Sequence, residues 1–200
     1  MKFFLAEDAA LTCHPQTPSR SVSTVQARLS KADDGGLAIT YTLEGELSRL
    51  CLPAQCAPGR VDGLWQHTCF EAFISVKGAP VYHEFNFSPS GQWAAYAFKG
   101  YRDGAPLLPN PNPKIKSRIL GNRLELDALI DRSCLPRTTA ETSFLFGLSA
   151  VIEEDDGVLS YWALRHPSTR PDFHHPDSFI LELNPNNVDA TSDPAYTGKR

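Results

Sequence analysis

Glu71 and Glu84 lie in two neighbouring alternating stretches, CFEAFISV and YHEFNF. If these stretches pair, both carboxyl groups share one face, and two carboxyls about 5–9.5 Å apart are what acid/base cleavage of a glycosidic bond requires. Such catalytic pairs are usually set in a deep cleft of a larger protein, so the pair is read here as holding a ligand rather than cleaving one. A second concentration of chemistry is YWALRHPSTRPDFHHPDSF, residues 161–179, with three histidines, two aspartates and two arginines. A metal site would have to draw on His166, Asp172 and His174, with His67 as a further candidate. His174 and His175 are adjacent and point to opposite sides of an extended chain, so both cannot serve one ion. A simpler reading makes these side chains partners of backbone groups that fasten the loop down. Nucleophilic chemistry finds no support: there is no GxSxG elbow, and Cys69 with His67 lacks any sign of activation. No GxxxxGK loop is present to cradle a phosphate.

Strands must position these residues. Leu37, Ile39, Tyr41 and Leu43 alternate with Ala38, Thr40, Thr42 and Glu44, the period of a strand with one buried face. Similar signals occur at 22–29, 68–76, 81–87, 92–98, 123–129, 143–152, 158–164 and 179–183, with most of the 16 prolines and 13 glycines between them. The pattern predicts an all-β chain, an antiparallel β-sandwich of jelly-roll or immunoglobulin-like type, with minor helix at 7–13 and 128–135. One domain is expected over residues 1–183, followed by a disordered tail at 184–200.

Placing turns at 77–80 and 88–91 sets Val76 opposite Val81 and Phe87 opposite Gln92. Opposed residues share a face, so Glu71, Phe73, Tyr82, Glu84, Asn86, Trp93, Ala95 and Ala97 fall on one side of these three strands. Phe70, Ala72, Ile74, Phe85, Phe87, Tyr96 and Phe98 fall on the other, which is the expected core. Carboxyls, an amide and aromatics beside small alanines line a face suited to a small ligand. The alternative is a loop that covers the aromatics while its backbone satisfies the carboxylates.

A net charge of -4 with pI near 5.8 gives no basic field for a phosphate backbone, so no nucleic acid is expected as a partner. The apolar run Phe3 to Ala6 is shorter than the roughly 7–15 residues of a signal peptide. No stretch reaches the ~20 apolar residues of a membrane span. A cytoplasmic protein with no membrane partner is expected. The 5 cysteines contain no CxxC pair and fit reduced thiols better than a disulfide framework, Cys51 and Cys56 included.

The motifs LWQHTCFEAFI (64–74), YHEFNFSPSGQWAAYAF with KGYRDG (82–104) and SYWALRHPSTRPDFHHPDSFILEL (160–183) resemble the bacterial DOMON-like proteins that are similar to family 9 carbohydrate-binding modules. The resemblance implies a β-sandwich that binds a ligand without catalysis, sugar in the carbohydrate modules and haem in some relatives. For sugar, it implies a stacking tryptophan, Trp93, Trp162 or Trp65, with Glu71, Glu84, Asn86 and Arg102 as hydrogen-bonding partners. The only methionine is Met1, so a haem held by Met and His is excluded, and histidine ligands alone would have to serve. Three readings follow: a domain for a small polyhydroxylated ligand with no cofactor, a haem- or metal-binding protein using histidines, and a module whose exposed aromatic face binds a protein partner.

Overall fold

The computed structural model describes residues 7–109, 111–137 and 143–183. Its strands are β1 (Glu7–Cys13), β2 (Val22–Lys31), β3 (Leu37–Gly45), β4 (Cys69–Val76), β5 (Tyr82–Phe87), β6 (Trp93–Gly100), β7 (Asp103–Pro106), β8 (Lys114–Leu120), β9 (Arg123–Ile130), β10 (Phe144–Glu153), β11 (Leu159–Ala163) and β12 (Leu181–Leu183). Helix among the described residues is limited to single 3-10 turns, at Leu47–Arg49, Leu64–Gln66, Arg132–Cys134 and Pro176–Ser178. None is long and apolar enough to cross a membrane.

The strands are paired antiparallel in two sheets. The first runs β1-β2-β3-β9-β8, and the second runs β1-β11-β10-β4-β5-β6-β7, with β12 also paired to β10. β1 joins them: Glu7 to Leu11 pair with β2, whereas Thr12 and Cys13 pair with β11. Between the sheets lies the main core, where Leu29, Ile39, Tyr41, Leu43 and Leu126 meet Phe70, Ile74, Phe85, Phe87 and Phe146. Tyr41 crosses it to donate a 2.6 Å hydrogen bond to the Glu71 carbonyl, which ties the first sheet to the middle of β4.

The two sheets differ in their outer faces. β9 alternates buried with half-exposed residues, as a one-sided strand should. β4 is buried at every position. Its outer face is covered by the chain between β11 and β12, whose Phe173 and Phe179 pack with Phe73, Tyr82, Val151 and Ala163 in a second apolar cluster. Gly147 on β10 makes this docking possible, because a Cβ there would lie 2.6 Å from the Phe179 ring.

The all-β expectation holds, with three differences in detail. Residues 7–13 form β1 and not a helix, since pairing on both of its edges outweighs a weak local preference. The hairpin of β7 and the edge strand β8 lie in the Pro-rich and Lys-rich region, where exposed sequence carries little strand signal. The β4–β5 register is as expected, with Phe70 opposite Phe87. The β5–β6 register is not: Phe87 faces Trp93, Asn86 faces Ala94 and Glu84 faces Tyr96. Gly91 causes the slip. It takes a left-handed φ of 92° and closes a turn onto the Ser88 carbonyl, adding one residue to the loop. A one-residue shift exchanges the faces of the whole strand. Trp93, Ala95 and Ala97 therefore turn to the core, and Ala94, Tyr96 and Phe98 join Glu84 outside. The tail at 184–200 lies outside the described residues.

Trp93 is 5% exposed within the main core. Trp93→Ala is expected to cost about 3–5 kcal/mol, measured as a lowered urea midpoint. A variant as stable as the parent would place the indole outside the core.

Candidate functional site

Consecutive outward positions of β4 and β5 bring Glu71, Phe73, Tyr82, Glu84 and Asn86 onto the outer face of the second sheet, with Asn86 directly opposite Glu71. Two stretches of chain cover this face, and they do so differently. Over Phe73 and Tyr82 the 164–180 segment packs tightly: Phe179 stacks on Phe73 at 5.7 Å, and Tyr82 stacks on Phe98 at 4.5 Å. The space left beside Phe73, Gly147, Ser149, Ala163 and Phe173 is about 150 Å³ and too narrow for a water molecule. This half is filled, and small-ligand sites need about 300–1,000 Å³.

The other half is crossed by residues 62–67. Asp62 accepts a 2.6 Å bond from Tyr96, which faces Glu84 across the strands, and it is gripped by both terminal nitrogens of Arg60 at 2.9 and 2.6 Å. Five residues on, His67 meets Glu153 at the end of β10, 2.7 Å away. Between these two anchors the turn Leu64–Gln66 packs on β4 and β5 and holds Trp65 51% exposed.

Beneath lie the acids. Glu71 is 3% and Glu84 5% exposed. Glu84 Oε1 accepts from the Asn86 amide at 2.6 Å, and its Oε2 stands 3.7 Å from His174 Nε2, beyond hydrogen-bond distance. The Glu71 carboxyl accepts no hydrogen bond from any described residue, yet its oxygens are not sealed from solvent. The docked segment thus covers the aromatics but does not supply backbone partners to the carboxylates.

Burial sets the charge state. It pushes the Glu84 carboxyl up to about 7 against the opposing pull of the Asn86 amide and the Arg102 charge. Burial, then the neighbouring Glu84 charge, push Glu71 well above the ordinary carboxylate range. Burial and the Arg102 charge drive His174 down to about 4, with Asp172 opposing. The hydrogen bonds agree. Tyr82 accepts the Arg102 backbone N–H at 3.1 Å, so its own proton is assigned to His174 Nδ1, 2.9 Å away. His174 is then neutral, with its remaining N–H on the side of Glu84. Arg102 is held at a left-handed φ of 56°, and its guanidinium turns to Asp172 at 2.9 Å and Tyr101 at 3.3 Å.

The structure therefore brings Glu71, Glu84 and Asn86 together, with the exposed Trp65 on the turn that packs on β4 and β5 and Arg102 in the turn between β6 and β7. Trp93 and Trp162 are elsewhere. Both belong to the main core, and Trp162 donates to Ser160 at 3.0 Å. The histidines do not converge: His67 binds Glu153, His166 binds the Thr12 carbonyl at 2.8 Å, and His175 accepts the Asp177 N–H that starts a 3-10 turn. No group of three His, Cys, Asp or Glu among the described residues is arranged to hold a metal ion. Tyr96, Asp62 and Arg60 escaped the sequence reading; the Pro-Ser-Gly turn, which favours a bulge, was the signal that could have placed Tyr96.

A larger concavity of about 510 Å³ lies on the outer face of the first sheet. Its charges pair among themselves, Arg118 with Glu125 and Asp127, Arg123 with Glu125, and Arg28 with Asp8, so it has the character of a solvated face.

No protein-family model and no curated protein sequence matches the chain. Solved structures do resemble it. A candidate carbohydrate-binding protein of Bacteroides uniformis superposes with a TM-score of 0.66 at 15% identity, over 88% of this chain and 84% of its own. A family 9 carbohydrate-binding module of Caldicellulosiruptor kristjanssonii in complex with cellotriose gives 0.59 at 11% identity, over 94% of this chain and 89% of its own. A family 9 module of the same organism in complex with glucose gives 0.57 at 11% identity, over 88% and 83%. The likeness defines the fold, a β-sandwich of the family 9 carbohydrate-binding-module architecture.

The buried acids have a consequence for stability. A carboxyl raised in the fold stabilises fully below its ordinary value and loses that contribution as pH rises through the folded value, about 7 for Glu84. His174, lowered in the fold, acts oppositely, but only below the ordinary histidine value of about 6.5. The urea midpoint is therefore expected to fall from pH 6 to pH 8, by about 1.4 kcal/mol per pH unit for each proton held only by the fold. A Glu71→Gln, Glu84→Gln double variant should flatten the slope. An unchanged slope in that variant would show that the folded protein keeps no protons there.

Proposed function

We propose that the chain is a non-catalytic binding domain for a carbohydrate or a similar small polyhydroxylated molecule, engaged on the outer face of the second sheet. The observation that carries the proposal is a nearly buried carboxyl, Glu71, that has no hydrogen-bond partner among the described residues, on a strand against which the turn bearing the exposed Trp65 indole packs. A sugar offers what each lacks. Its C–H face packs on an aromatic ring, while its hydroxyls donate to carboxyl oxygens. A buried polar group left unpaired costs about 1–3 kcal/mol, so a ligand that fills Glu71 gains by relieving it. Asn86 and Glu84 hold each other in place, and Asp62 with Tyr96 closes one side of the opening.

Known partners of the similar folds support this reading, since the two Caldicellulosiruptor modules were solved with cellotriose and glucose. Membership of the bacterial DOMON-like group and a cytoplasmic setting, in which the domain would sense or carry a metabolite, belong to the same proposal. The reading requires no cofactor.

Calorimetric titration with glucose and cellotriose tests it. Trp65→Ala is expected to weaken binding by about tenfold, near the value of one good aromatic contact, and to leave the urea midpoint unchanged because the ring is exposed. Equal affinity in the variant would place the ligand elsewhere, and no binding of any sugar by the parent protein would contradict the proposal.

A further inference from the structure

The floor of the site is unbalanced in its hydrogen-bonding groups. Acceptors are plentiful: both oxygens of Glu71, Oε2 of Glu84, and Asn86 Oδ1, whose one contact is a long 3.9 Å approach from Cys69 Sγ. Ser149, directly opposite Glu71 on β10, adds a sealed hydroxyl with no hydrogen-bond partner and is 2% exposed. Most donors nearby are already engaged, the exceptions being the Ser149 hydroxyl and the His174 Nε2–H, 3.7 Å from Glu84. The Asn86 amide serves Glu84, the Arg102 guanidinium serves Asp172 and Tyr101, and Arg60 serves Asp62. His174 carries no charge, because Tyr82 donates to its Nδ1.

We infer that the group received between Glu71 and Glu84 is a cation, the ammonium of an amine-bearing sugar. This rests on the sugar-binding reading and narrows it. An ammonium brings three donors and no acceptor, which is the complement of this floor, whereas a hydroxyl brings one donor and two lone pairs of its own. Two carboxyls sharing a buried site cannot both ionise without a counter-charge. Arg102 is held by Asp172, so no counter-charge among the described residues stands within hydrogen-bond reach of the pair. A ligand cation would let both acids ionise, and its binding would release protons to solvent.

Glucosamine, N-acetylglucosamine and glucose, titrated in parallel into the full chain at about pH 7, separate the possibilities. The N-acetyl compound keeps the sugar and removes the charge. Glucosamine is expected to bind at least about tenfold more tightly than either neutral sugar. Its apparent heat should differ between buffers of high and low ionisation enthalpy, as proton release requires. In Glu71→Gln the preference should shrink to within about threefold while some sugar binding remains. Glucose or N-acetylglucosamine binding as tightly as glucosamine would overturn the cation assignment and leave the sugar-binding reading standing. Binding of none of the three would overturn both. The comparison on the parent protein decides the question without a variant that might fold poorly.

Discussion

Docking of the 164–180 segment on the outer face of the second sheet is the interaction on which the proposed ligand face depends. A two-sheet sandwich leaves its outer faces to water, and the first sheet does so, with a self-paired lattice of arginines and acids. The middle of the second sheet, β4 above all, is instead buried on both sides, because Phe173 and Phe179 seat against Phe73, Tyr82 and the space above Gly147. Together with residues 62–67, which cross the other half of the face, that docking leaves Glu71 and Glu84 as buried acids. It also delivers His174 to Tyr82 and Asp172 to Arg102.

From this constraint the electrostatics follow. Desolvation raises both carboxyls and lowers His174, so burial disfavours the charged form of all three groups. Such an arrangement is costly for a fold that uses it only for packing, since apolar residues would fill the same volume without unpaired acceptors. The bond from Tyr41 to the Glu71 carbonyl fixes the backbone beneath the least satisfied of these groups, so the acid is held by the core while its carboxyl stays open.

Much of the scaffold was legible in the sequence, and the reasons are local. The alternation in Leu37–Leu43 reports a half-buried strand directly, and the β4–β5 register followed from a loop of common length. The β5–β6 register did not, because one glycine in a left-handed conformation adds a residue to the loop and exchanges the faces of β6. Trp93 thereby became a core residue, and Tyr96 replaced it on the functional face. Trp162 lies on the buried side of β11, whose short run Leu-Ser-Tyr-Trp-Ala puts an aromatic on each face and so does not tell in from out. Glu71, Glu84 and Asn86 kept their common face because they lie on the two strands whose register was readable. Asp62 and Arg60 reach the site from a loop, where spacing gives no geometry.

The account's central claim is that the ligand meets the outer face of the second sheet beside Trp65. Amide chemical-shift mapping of isotope-labelled protein during titration with glucosamine and with glucose tests it most directly. The predicted result is a contiguous set of shifts at residues 62–67, 71, 84–86, 94–96 and 172–174. Shifts centred instead on Arg28, Thr42 and Glu125, across the opposite sheet, would contradict it.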